Sequence, residues 1–149
     1  MITITDPLAN VTTFAYNAAG LLTSVTDALG NVTTYAYDAL DRQITVTQPD
    51  PDGAGSLAAP VTTSTYDAAG QLTGTTNALA GTRTYAYDLV GRLISETDEL
   101  NRETLYDYDA AGRLTSVTDP LAGTTSFTYD AAGNRLTVTD PVAGTTTYT

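Results

Sequence analysis

The chain has 149 residues, 42% of them apolar, and a formal charge of −11 from 17 acids against six arginines, with no lysine, histidine or cysteine. Such a surface repels phosphate backbones and anionic lipid, which argues against a nucleic-acid partner, and without an apolar run of about 18 residues the sequence offers no helix for membrane insertion. The missing cysteine removes disulfides and thiolate metal sites, and the missing histidine removes the commonest general base near neutral pH, so no cofactor is expected.

Met1 to Thr5 (MITIT) enters in the middle of a unit that then returns along the whole chain. Its marker is the stretch Tyr108-Asp-Ala-Ala-Gly-Arg-Leu114, with close versions beginning at Tyr16, Tyr37, Tyr66, Tyr87 and Tyr129. These six tyrosines are 21, 29, 21, 21 and 21 residues apart, and the surplus of eight falls in the Pro- and Gly-rich run Pro49 to Pro60. A fixed period in the twenties marks a repeat architecture. Each unit opens with a Thr-rich strand ending in an aromatic pair two residues apart: Phe14/Tyr16, Tyr35/Tyr37, Tyr85/Tyr87, Tyr106/Tyr108 and Phe127/Tyr129. That spacing places both rings on one face. Only Tyr66 lacks its partner, since Ser64 stands in that place.

An Asp-x-x-Gly turn follows, with Gly20, Gly70, Gly91, Gly112 and Gly133 at the position that takes positive φ and Asp41 replacing glycine in the second unit. The next strand, such as Leu114 to Thr118, carries apolar columns: Ile2, Ile44, Ile94 and Leu136, and two places on Ile4, Val25, Val46, Val117 and Val138. We expect that face to be buried against the aromatic pairs. A second turn closes the unit, as in Asp27-Ala-Leu-Gly30 or Asp119-Pro-Leu-Ala-Gly123, and its recurrent Leu29, Leu79, Leu100, Leu121 and Val142 are expected to fold inward. Two short strands and two tight turns per period predict an all-β fold: tandem 21-residue β-hairpins in a twisted, curled antiparallel ribbon or solenoid. Residues 1–149 read as a single array of about seven units, partial at both ends, with an eight-residue loop insertion within 49–60.

Repeated YDAAGRL, preceded by aromatic-x-Tyr and by Asp-x-x-Gly-Asn at Asp27 to Asn31, resembles the RHS/YD repeat along the entire chain. That family includes bacterial polymorphic toxins, toxin-complex cocoon proteins, wall-associated proteins and teneurins. The resemblance implies β-hairpins spiralling into a hollow shell or forming an adhesive surface, secreted or at the cell surface. It also implies a structural, non-catalytic role, although no plug, toxin domain or self-cleaving core is visible in this sequence.

Candidate chemistry follows the repeat and is weighed against structure. The Asp-Pro-x-x-Gly turns have one residue too many for the family's Asp-Pro-x-Gly self-cleavage signature. Asp38, Asp67, Asp88, Asp109 and Asp130 would supply paired carboxylates to a hydrolase or oxygens to Ca²⁺, yet they are copies of one turn position, with one carboxylate per turn. An active site more often breaks a repeat than follows it, and neither catalytic nor metal residues are assigned. Tyr35, Tyr37, Tyr85, Tyr87, Tyr106 and Tyr108 could form a glycan platform, though aromatic ladders more often stabilise sheets. Asn10-Val-Thr12 and Asn31-Val-Thr33 match the glycosylation pattern as a by-product of a Thr-rich period. Arg42, Arg92 and Arg113 share one column and are expected to form cross-strand ion pairs. Ile2 and Ile4 at one end, with Thr145, Thr147 and Tyr148 at the other, read as exposed strand edges. Self-association through them, head to tail as a filament, is the alternative to an excerpt of a longer shell.

Overall fold

The computed structural model describes residues 1–53, 57–142 and 144–148. Tertiary contacts divide the chain into two units, Met1–Thr82 and Arg83–Thr149. The first holds β1 (Ile2–Thr5), β2 (Val11–Tyr16), β3 (Leu22–Thr26), β4 (Val32–Tyr37), β5 (Gln43–Thr47), β6 (Val61–Tyr66) and β7 (Leu72–Thr76), each antiparallel to the next. The second holds β8 (Thr82–Tyr87), which starts at the boundary, then β9 (Leu93–Thr97), β10 (Glu103–Tyr108), β11 (Leu114–Thr118), β12 (Thr124–Tyr129), β13 (Arg135–Asp140) and β14 (Gly144–Thr147), paired likewise in chain order. The fold is all-β and the sheet unclosed; the described residues contain no helix, hence none long and apolar enough to cross a membrane.

Most of the hairpin ends use one turn, the loop between β5 and β6 being an exception. In Asp38-Ala-Leu-Asp41-Arg42, Asp41 N donates to Asp38 O at 3.1 Å and Asp38 N donates to Arg42 O at 2.9 Å. Asp109 to Arg113 and Asp98 to Arg102 repeat the pattern at opposite ends of their hairpins. This is a type I turn followed by a left-handed residue, the usual three-residue hairpin loop. The left-handed residue is glycine at Gly20, Gly30, Gly70, Gly91, Gly112 and Gly133, but it is Ala9, Asp41, Ala80, Asn101 and Ala122 elsewhere. In Asp119-Pro-Leu-Ala-Gly123 it is therefore Ala122 that takes φ 66°, one place before the glycine. At Gly123 the Asp119 carboxylate fills the space a side chain would take, an added Cβ lying 2.8 Å from Oδ2, whereas the same position of other turns carries Asn10, Asn31 or Arg102. The eight-residue insertion leaves the register intact: Thr47 still faces Val61, and Gln48 N donates to Pro60 O at 2.8 Å. Residues 54–56 of that loop lie outside the described residues.

The sheet puts the first aromatic of four of the five pairs opposite the later apolar column: Phe14 faces Val25, Tyr35 faces Val46, Tyr106 faces Val117 and Phe127 faces Val138, while Tyr85 faces Glu96. Alternation assigned these residues to one face correctly. Burial is the correction. No hydrophobic side chain among the described residues is buried, and Ile2 and Ile4 are 55% and 59% exposed. Each unit is a single layer, so the apolar face packs only along the sheet, through cross-strand neighbours. The turn leucines are corrected too. Leu29, Leu79 and Leu121 are 89%, 93% and 92% exposed, because the third turn position projects beyond the strands. The opposite face is threonine-rich, and hydroxyls meet across strands at Thr128/Thr137 (2.6 Å), Thr118/Thr124 (3.0 Å) and Thr139/Thr145 (2.8 Å).

An alanine held in the left-handed region costs about 1–2 kcal/mol relative to glycine. Ala122→Gly should raise stability by about 0.5–1 kcal/mol and Gly112→Ala should lower it by about 1–2 kcal/mol, both read from urea midpoints. A loss of stability in Ala122→Gly would contradict the turn assignment.

Candidate functional site

The side chains that recur every period converge at the hairpin turns. Asp Oδ1 accepts two backbone N–H groups, from the residues two and four places on: Leu40 and Arg42 for Asp38 (2.9 and 3.0 Å), Val90 and Arg92 for Asp88 (3.0 and 2.9 Å), Ala111 and Arg113 for Asp109 (both 2.9 Å). Asp6, Asp27, Asp98 and Asp119 do the same at the other turn. The carboxylate thereby satisfies two donors that the tight loop would leave unpaired.

Oδ2 takes the side chain of the residue four places on. Arg42, Arg92, Arg102 and Arg113 donate from Nε at 2.7 Å. Asn10, Asn31 and Asn134 donate from Nδ2 at 2.8, 2.7 and 2.9 Å. The arginine column thus corrects the expectation of cross-strand ion pairs: each acid partner sits in the arginine's own turn, because that turn brings positions one and five together. Asn10 and Asn31, which match a glycosylation pattern, are turn clamps as well. This role could have been found in the sequence, since Asn or Arg stands four places after most of the aspartates that open a turn.

What spans neighbouring hairpins is the rest of the guanidinium. Nη1 of Arg42, Arg92 and Arg113 donates to the backbone oxygen of Asp67, Asp109 and Asp130 at 3.1, 3.3 and 2.9 Å. The same guanidinium lies over the ring of Tyr66, Tyr108 or Tyr129, 4.7–4.9 Å from its centroid. The tyrosine replies: Tyr66, Tyr108 and Tyr129 hydroxyls donate back to Gln43 O, Leu93 O and Leu114 O at 2.9, 2.9 and 2.8 Å. Tyr37 donates likewise to Leu22 O at 2.8 Å. Asp, Arg and Tyr therefore form a clasp that joins one hairpin turn to the next. Each of these tyrosines sits where the ladder slips by one residue, as between Asp107 and Tyr108. Tyr16 and Tyr87 occupy the same bulge position.

Hydrogen bonding holds seven aspartates below the ordinary carboxylate range. For Asp6, Asp27 and Asp130 the asparagine amide is the leading cause. For Asp38 and Asp98 it is the arginine side chain, which takes Asp98 down to about 2; for Asp88 and Asp109 the arginine backbone N–H leads. Each aspartate serves its own turn. Among the described residues no group of three or more acids stands close enough to hold a metal ion.

The RHS Repeat family model matches residues 1–30, 16–54, 66–103, 87–124 and 108–145. The chain belongs to the RHS repeat family. Among solved structures it is similar to a chain of the Photorhabdus luminescens Tc holotoxin pore, with a TM-score of 0.73 and 21% identity over 98% of this chain. A chain in the crystal structure of TcdB2-TccC3 matches with a TM-score of 0.69 and 21% identity over 87%. The RHS repeats described here span only 9% and 7% of those chains. At such identity the likeness is one of fold. No curated protein matches the chain.

Two outcomes are expected of the clasp. A double-mutant cycle on Arg92 and Tyr108 should return a coupling of about 0.5–1 kcal/mol, and a value of zero would remove the stacking contribution. The aspartates give the pH dependence. Their folded values lie below the unfolded value near 4, so between about pH 4 and pH 2 the unfolded chain binds more protons. Stability from these groups should hold above pH 4 and fall as pH drops through that window, as measured by thermal melts.

Proposed function

We propose that this chain is a non-catalytic structural segment of an extracellular RHS-type shell or surface protein, its two units belonging to one continuous array. The observation that carries this reading is the use of the carboxylates. The aspartates that would serve a hydrolase or a cation site are drawn into their own turns, with Oδ1 on two backbone amides and Oδ2 on Arg or Asn. Likeness of fold to chains of Tc toxin complexes supports a role in a large secreted assembly.

A second structural reading rests on the edges. Among the described residues β1 pairs only with β2 and β14 only with β13, and both strands are exposed throughout. Their outer backbone groups can accept a further strand, from the same polypeptide or from another copy. A glycan surface built from the tyrosine pairs is less favoured, because guanidinium groups already cover Tyr66, Tyr108 and Tyr129.

Assays on peptide, glycoside and phosphoester substrates should show no turnover. Turnover abolished by one aspartate substitution would overturn the non-catalytic reading. Light scattering against concentration addresses the edges: stacking copies grow in mass, and Ile4→Lys with Thr147→Lys should abolish that growth. A constant monomer mass leaves the edges to adjoining repeats of one chain.

A further inference from the structure

The charged residues that depart from the period in the second unit are satisfied there. Arg83 donates to Glu99 at 3.3 Å, Tyr106 to Glu96 at 2.9 Å and Arg102 to Asp98 at 2.7 Å, around a cavity of about 320 Å³. The apolar residues at the turn tips have no such partners in their own hairpins.

Every strand runs between two rows of turns, one at each margin of the sheet. At the first margin the third turn position holds Leu8, Leu29, Leu79, Leu100, Leu121 or Val142, each between 70% and 94% exposed. At the second margin it holds Ala19, Leu40, Ala69, Val90, Ala111 or Ala132. The turn itself does not require this difference. Leu8, Leu29, Leu79, Leu100 and Leu121 donate their N–H to Oδ1 of the first turn residue at 2.8–2.9 Å. Ala19, Leu40, Val90 and Ala111 do the same at 2.9–3.0 Å. The bond from the fourth N–H to the first carbonyl is 2.9–3.1 Å long at both margins. Alanine therefore suffices to build the hairpin, and leucine held in water at one margin answers a demand from outside it. A scattered exposed leucine needs no explanation, but a row confined to one margin does. Proline precedes the tip at Leu8, Leu121 and Val142 and at no tip of the second margin. Its fixed φ holds the turn in one conformation, which lowers the ordering cost of a contact made there.

Spacing selects the occupant. Successive turns at one margin stand two strands apart, roughly 9.6 Å, and both margins share that spacing because each hairpin supplies them alternately. A leucine row thus meets an alanine row of another copy tip for tip, large against small. Leu40 and Val90 interrupt the alanine row, so the contact falls on consecutive tips such as Ala111 and Ala132, facing Leu100 and Leu121. Charge favours the same pairing. Outside the β5–β6 loop the leucine margin carries six acids (Asp6, Asp27, Asp98, Glu99, Asp119 and Asp140) and one arginine, Arg102. The alanine margin also carries six acids, with three arginines, Arg42, Arg92 and Arg113. Two leucine margins face to face would oppose acids to acids with the fewest cations between them. We propose that the leucine margin docks side by side on the alanine margin of a second copy of this chain, independently of the terminal strand edges.

A row of tips buries less than a standard interface, so this association is weak and belongs to concentrations approaching millimolar. The test takes out strand-edge pairing first, with Ile4→Lys and Thr147→Lys as the parent chain. On concentrating that parent, the ¹⁵N spectrum should shift at the amides of Leu100, Leu121, Ala111 and Ala132, and its mass by sedimentation should rise. Leu100→Ser with Leu121→Ser should lower the association constant at least tenfold, and so should Ala111→Glu with Ala132→Glu. Each variant keeps one intact margin, so the two should pair as dimers when mixed, although each alone stays monomeric. The rest of each spectrum reports that the variant is folded. A parent that stays monomeric up to millimolar concentration overturns the proposal, as does association that survives the serine substitutions. Alanine-margin variants that associate alone, which would mean that leucine margins meet each other, overturn it too, as does a mixture that fails to pair.

Discussion

The structure rests on an aspartate oxygen that accepts two backbone amides of its own turn. A single-layer sheet with no buried hydrophobic side chain among its described residues gains little from the burial that stabilises ordinary domains. Its strands are held by ladder hydrogen bonds and by cross-strand pairs, each contributing about 0.2–1 kcal/mol. Such a sheet can slip, since one residue of slippage exchanges the two faces. A turn of fixed length prevents it. Asp38, Asp88 and Asp109 at one end of the hairpins, with Asp27, Asp98 and Asp119 at the other, impose the same loop and thus the same pairing phase. The tolerance of the left-handed position to Ala, Asn and Asp follows: with the side chain at the first position closing the loop, glycine at the fourth is favourable without being required.

Coupling between hairpins is a separate matter, and it is uneven. Where the clamp is Arg42, Arg92 or Arg113, one guanidinium binds its own turn, caps the carbonyl of the next and covers the next tyrosine. Leu21 cannot do this, and Asn134 reaches no further than Asp130. Stability in such an array is close to a sum of unit and nearest-neighbour contributions. The hairpins joined by arginine are then the stiff segments of their units, and those joined by the tyrosine hydroxyl alone are looser.

Much of this was legible in the sequence, and the failures share a cause. The 21-residue period, the strand and turn order, and the shared face of Phe14 and Val25 or Tyr106 and Val117 follow from periodicity and turn chemistry. Periodicity reports which side chains share a face; it does not report whether anything lies against that face. Hence the apolar columns were expected to be buried, and Leu29 and Leu121 to turn inward, where the structure leaves them exposed. The sequence shows the arginine column but not its acid partners, since sequence distance does not reveal that a five-residue loop returns its last side chain to its first. The stacking on Tyr108 was invisible for the related reason that it joins residues 16 apart across two hairpins.

The cavity in the second unit belongs to a different kind of legibility. Ser64, Thr75 and Gly74 also break the period, where an aromatic, a valine, and a serine or threonine stand in other units. Those substitutions shrink side chains and bring in no charge, and the backbone register survives them, as it survives the insertion before β6. They are what a repeat tolerates. Arg83, Glu96 and Arg102 instead place long charged groups in columns otherwise held by threonine, valine and small turn residues. Each carries desolvation and ordering costs that the smaller residue avoids. The fold offsets part of that cost, since Arg83 pairs with Glu99, Glu96 accepts from Tyr106 and Arg102 holds Asp98. All three line one cavity of the second unit, where Arg102 still clamps Asp98 as the arginines of the other turns clamp their own aspartates.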